Sequence, residues 1–233
     1  MNDLFGGKFA PITNTIGFLR CDHSRAAQAF FDWQENIQAK RGVSLVKRSI
    51  HGGLESAIQK LLPLTSVERR RYLLISTRSD WTAFLDNGHQ GTDVFSPLSY
   101  LAEKLSCEAV RATYVPEGRG KQYPAVIFEL YGPNRSEFLN YVRSIAVAYD
   151  GKKWAFAAEG EVQPFEQVER YSTRSIQDRF TPEMLENYLK SLGIHAFRQD
   201  FYSPDGQEAI LIEKVGPIAP AAREFQLADV QLA

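Results

Sequence analysis

Two stretches of this 233-residue chain read as copies of one another, and internal repetition constrains an architecture before any single motif does. The first copy contains Ser99-Tyr-Leu-Ala-Glu-Lys-Leu105, Val110-Arg-Ala-Thr-Tyr-Val-Pro-Glu-Gly118 and Ala125-Val-Ile-Phe-Glu-Leu-Tyr-Gly-Pro133. The second contains Asn187-Tyr-Leu-Lys-Ser-Leu192, Phe197-Arg-Gln-Asp-Phe-Tyr-Ser-Pro-Asp-Gly206 and Ala209-Ile-Leu-Ile-Glu-Lys-Val-Gly-Pro217. Tyr-Leu, Tyr-x-Pro-x-Gly and an Ala-apolar-Glu-Gly-Pro run recur in the same order. Upstream, Trp81-Thr-Ala-Phe-Leu85 has a shorter echo in Trp154-Ala-Phe-Ala-Ala158. The expectation is an α+β protein: two tandem ββαββ repeats with antiparallel sheets and pseudo-twofold duplication, after an N-terminal βαβα unit. The divisions are 1–68 for that unit, 69–133 and 134–217 for the repeats, and 218–233 for a loosely packed tail, all within one compact unit.

The elements follow from local pattern. Residues 15–20 and 43–47 read as strands. Between them Ala26, Phe30, Trp33 and Ile37 form one apolar stripe at helical spacing, with Ser24 as a cap and Gly42 as the stop. Leu54, Ala57, Ile58, Leu61 and Leu62 make a second stripe, ended by Pro63. In each repeat a Ser-Pro or Thr-Pro pair, Ser96-Pro97 and Thr181-Pro182, opens a helix where a missing proline N–H costs nothing. Strands are predicted over 72–76, 81–85, 109–115 and 125–131 in the first repeat. In the second they fall over 141–149, 154–158, 196–202 and 208–215, with turns at Gly118-Arg-Gly-Lys121 and Ser203-Pro-Asp-Gly206.

Composition is ordinary for a globular chain, 44% hydrophobic and 24% charged. No run of about 18 apolar residues is present, so no membrane span is expected, and no signal peptide is read at the start. Two cysteines, Cys21 and Cys107, fit reduced thiols of a cytoplasmic protein. Residues 1–78 carry 12 Lys+Arg and 6 Asp+Glu, a charge of +6, and the remainder carries 15 and 22, a charge of −7. A basic first third on an acidic remainder could mean that the two parts attract each other or present two faces to two partners. A phosphate-binding surface is usually strongly basic on one face with stacking aromatics nearby, and Arg69-Arg70-Arg71 is the one dense basic run of the sequence, so nucleic acid is not an expected partner.

The densest polar cluster is Asp80, Asp86, Asn87, His89, Gln90, Thr92 and Asp93. Carboxylates and an imidazole this close could bind a divalent cation or act as acid and base. The competing reading is a solvated turn whose Asp and Asn satisfy backbone N–H groups. Neither a zinc spacing, a phosphate loop nor a Gly-x-Ser-x-Gly elbow occurs. Glu129 and Glu213 hold equivalent places in the two copies; they could pair across a pseudo-twofold, or they could be outward residues on alternating strands. The candidate binding residues are therefore Asp80, Trp81, Asp86, Asn87, His89, Asp93, Glu129 and Glu213, with no metal and no cofactor assigned. The leading function is a non-catalytic binding or inhibitor protein, of a bacterial immunity type, engaging a protein partner through the duplicated region. The alternatives are a metal-assisted hydrolase on Asp80, Asp86, His89 and Asp93, and a small-molecule sensor at the junction between repeats.

Overall fold

A computed structural model describes residues 4–118, 122–136, 139–202 and 209–231. The turns expected around Arg119 to Lys121 and over Ser203 to Gly206 lie outside them. Nine strands form one antiparallel sheet. They are β1 (Thr15–Leu19), β2 (Ser44–Ile50), β4 (Arg71–Ser76), β5 (Thr82–Asp86), β6 (Ala109–Val115), β7 (Ala125–Ser136), β8 (Leu139–Tyr149), β9 (Trp154–Gly160) and β10 (Ala209–Val215). Their order is β2-β10-β4-β5-β1-β6-β7-β8-β9, and a two-residue β3 (Leu64–Thr65) pairs separately with β11 (Glu224–Phe225).

Continuous apolar runs go to the middle of the sheet, as strands covered on both faces require. All five residues of β1 and of β5 are buried. One face is covered by α1 (His23–Gln38) and α3 (Phe95–Leu105), whose Phe30, Leu98 and Leu101 pack with Leu74, Phe84 and Tyr131. The other is covered by α2 (Leu54–Gln59), α4 (Pro182–Ser191) and the N-terminal turns, whose Ile58, Leu185 and Phe9 pack with Leu73, Leu85 and Phe128. Gly17 lets α3 lie close to the sheet: a Cβ there would sit 3.1 Å from both Leu98 and Val94.

The helix expected over the first stripe forms, but Asp22 caps it, accepting from the N–H groups of Ser24 and Arg25 at 3.0 Å. Ile37 is 38% exposed, and the buried positions of that last turn are Gln34 and Gln38, bonded to each other. Gly42 ends the helical segment at φ 67°. Thr181 caps α4 through Met184 N–H, whereas α3 starts at Phe95, before Ser96-Pro97, with no side-chain cap.

The duplication is not confirmed. The stretch 196–202 is not a strand: it contains a short 3₁₀ turn (Gln199–Phe201), and among the described residues its one β-bridge is the isolated Thr77–Tyr202 pair. In the first stretch α3 lies on one face of the sheet and in the second α4 lies on the other. Strand β10 sits beside β4, seven places from β9. The tail expected to be loosely packed keeps most side chains exposed but is anchored: β11 pairs with β3, Ser66 and Arg223 exchange hydrogen bonds, and Gln231 Nε2 donates to the carbonyls of Lys8 and Ala10.

Candidate functional site

The polar cluster after β5 is a buried structural turn. Asp86 is 0% and Asn87 1% exposed. One Asp86 oxygen accepts from Gly88 N–H at 2.8 Å and the other from Asp93 N–H at 2.9 Å. Burial raises the Asp86 carboxyl to about 6, against the pull of those N–H groups and of the Arg69 guanidinium, 3.9 Å away. Asn87 Oδ1 accepts from the N–H groups of Arg70 and Arg71, while Nδ2 donates to Pro63 O. Its Asp and Asn satisfy backbone groups, as the turn reading expected, but in the interior rather than in solvent.

The other candidates do not converge with it. Asp80 forms a surface ion pair with Arg20 at 2.6 Å, its side chain 57% exposed. Trp81 is a core residue, 1% exposed, with its indole N–H on Leu192 O. Asp93 turns outward, 3.6 Å from Arg69. Among the described residues no three His, Cys, Asp or Glu side chains are grouped so as to hold a metal ion.

Glu129 and Glu213 do not form a pair. Glu129 shares the face of its neighbour Tyr131 and Glu213 the opposite face with Leu211, because alternate strand residues point to opposite sides. Four strands separate β7 from β10, which is roughly 24 Å at the usual strand spacing. Each is instead partnered locally. Glu213 meets Arg71 at 3.0 Å. Glu129 accepts from Arg111 at 3.1 Å and from the hydroxyls of Tyr131 at 2.8 Å and Tyr141 at 3.3 Å. Burial pushes the Tyr141 hydroxyl up to about 12 and Tyr131 higher still, so both remain donors at neutral pH.

His89 is the exception, because it leads into a groove of about 930 Å³. The imidazole stacks on Phe225 at 5.2 Å and 15°, and its Nδ1 is buried without a hydrogen-bond partner. These rings form one wall. Gly6, Gly7 and Pro11 supply another, held by Gln231 of α5 (Leu227–Gln231). The floor is a relay of amides: Asn14 Nδ2 donates to Gln122 Oε1 at 2.5 Å, and Gln122 Nε2 donates to Gln90 O. Tyr123, 60% exposed, stands at the rim. Of the charged groups at the groove, Lys8 pairs with Glu55 and Asp229 accepts from Gln226 N–H. Most of the other lining residues offer amides, carbonyls and aromatic rings.

Sequence reasoning finds His89 and Gln90 but not the groove, whose walls come from residues 6–14, 89–90, 115–118, 122–123 and 225–231. It also misses the ion pair of Arg143 and Glu166. Their side chains are 4% and 0% exposed, joined by two bonds of 2.9 and 2.7 Å, with Tyr171 OH and Gln163 N–H completing the carboxylate.

Comparison of the chain with protein-family models, with curated proteins and with solved structures finds no match. No helix among the described residues is long and apolar enough to cross a membrane.

Proposed function

We propose that the protein is a non-catalytic binding protein whose groove receives an extended, uncharged segment of a partner polypeptide. The observation that carries this reading is the chemistry of the lining. A peptide backbone presents alternating N–H and C=O groups, and the relay of Asn14, Gln122 and Gln90 offers amides of the same kind. The ring wall of His89 and Phe225 and the rim residue Tyr123 supply the aromatic surface that polypeptide interfaces favour. The volume is at the top of the range for small-molecule sites, which reaches about 1,000 Å³. An inhibitor of the immunity type would use such a groove to hold a loop of its target, and a cytoplasmic setting accords with the reduced thiols.

Selection of a displayed random-peptide library against the full chain tests this. The Gln90→Trp variant serves for counter-selection, because Gln90 is exposed at the groove and engages Gln122 only through its backbone carbonyl. Enrichment of uncharged extended peptides that bind the wild type and not the variant supports the proposal. If no peptide discriminates the two, while a metabolite panel raises the melting temperature of the wild type alone, the groove takes a small molecule and the proposal fails.

A further inference from the structure

We propose that Cys21 and Cys107 are a redox-active dithiol, converted by low-molecular-weight disulfides of the glutathione class into an intramolecular disulfide that ties the β1–α1 turn to the α3–β6 turn. The strand register brings the two together. β1 and β6 pair antiparallel from Thr15 opposite Thr113 to Leu19 opposite Ala109. The ladder continues one residue further, with Arg20 N–H donating to Glu108 O at 2.9 Å. Beyond that bond both chains turn, Cys21 N–H bonding back to Leu19 O at 2.9 Å and Cys107 N–H to Ala102 O at 3.0 Å, so the two cysteines stand next to Arg20 and Glu108 at the end of the ladder. Both pack against the same core cluster on the α1 and α3 face of the sheet, the side-by-side placement a disulfide requires.

The side chains confirm the approach. Both thiols are free and half-buried, so a small reagent can reach them. The two thiols act on each other: the Cys21 thiol and the nearby Arg25 guanidinium lower the Cys107 thiol, while the Cys21 thiol is pushed up. Arg25 is held beside Cys107 by its bond to Leu105 O at 3.1 Å. Cys107 is therefore the attacking sulfur and Cys21 the resolving one.

The chemistry is thiol–disulfide exchange in two steps. The Cys107 thiolate attacks one sulfur of the small disulfide, forming a mixed disulfide and expelling one thiolate. Cys21 loses its proton to solvent and attacks the Cys107 sulfur, and the second small thiolate leaves. Two protein thiols are oxidised to one disulfide, and one small disulfide is reduced to two thiols.

The experiment incubates the reduced full chain with oxidised glutathione and follows intact mass, differential alkylation and melting temperature. The wild type is expected to lose two hydrogens, to give one cross-linked peptide pair containing Cys21 and Cys107, and to melt several degrees higher than the reduced form, because a cross-link constrains the unfolded chain. Cys21→Ser should stop at a single glutathione adduct on Cys107. Cys107→Ser should stop at a single glutathione adduct on Cys21 and form it more slowly. A wild type that accumulates glutathione adducts without the cross-linked peptide overturns the proposal, as does one whose thiols stay reduced. Equal reaction rates of the two variants overturn the assignment of Cys107 as the attacking sulfur. These readouts do not depend on what occupies the groove.

Discussion

Replacing Arg143 with methionine leaves Glu166 charged and buried without its cation. Both side chains are almost fully withdrawn from solvent, and the guanidinium also donates to Gly160 O at 3.1 Å. Removing one partner of a buried pair costs about 3–5 kcal/mol, because the surviving charge loses its attraction but keeps its desolvation penalty. For a domain of this size each kcal/mol moves the melting temperature by about 2–4 °C, so Arg143→Met should lower it by roughly 10 °C. The double variant Arg143→Met/Glu166→Leu removes both charges; Tyr171 OH keeps Tyr188 OH at 3.1 Å, while Gln163 N–H loses its acceptor and Gly160 O a donor, at about 1 kcal/mol each. It should therefore be more stable than the single variant. Thermal and urea unfolding of the wild type, both single variants and the double variant complete the cycle. A single variant within about 3 °C of wild type, or a double variant whose loss equals the sum of the singles, would refute the assignment of a coupled buried pair.

Two further expectations concern the turn after β5. Asn87→Ala removes the acceptor of the Arg70 and Arg71 N–H groups and the donor to Pro63 O; it should cost about 3 kcal/mol and speed hydrogen exchange at those two amides. Asp86 sets a pH dependence: its folded value, near 6, lies above the ordinary 3.8, so the folded state holds the proton more tightly. Its contribution is complete below about pH 4 and is lost as the pH rises through 6, by up to about 3 kcal/mol. Urea titrations from pH 4 to 6.5 should show a steeper fall for wild type than for Asp86→Asn. The hydrogen bond lost in that variant shifts its level rather than its slope, and equal slopes would contradict the account.

Much of the fold is legible in local pattern, and what is not depends on partners distant in sequence. Strands β4, β6 and β8 and helices α1 and α4 follow from apolar runs, stripes and caps. The apparent copies share turn chemistry and Gly-Pro strand ends, and such residues recur wherever a chain must reverse. Strand neighbours carry the information that would distinguish duplication from coincidence, and Tyr-x-Pro-x-Gly contains none. The stretch 196–202 shows the point: Ala196, Phe201 and Tyr202 are buried, but they do not alternate as a strand would. The polar cluster around Asp86 marks a special place, yet Arg69, Thr65 and Ile12, which meet Asp86, Asn87 and Thr92 of that cluster, arrive from other segments. The groove is invisible for the same reason, since Phe225 and His89 are neighbours only because β11 pairs with β3. The Cys21–Cys107 proximity becomes readable once the β1–β6 register is known.

The most direct measurement is the affinity of a library-selected peptide for three full-length proteins: wild type, Gln90→Trp in the groove, and Ala157→Trp on the exposed face of β9. Isothermal titration should show at least about a tenfold loss, 1.4 kcal/mol, for Gln90→Trp, with Ala157→Trp unchanged. Equal binding to wild type and Gln90→Trp, or a loss confined to Ala157→Trp, would contradict the groove as the site of recognition.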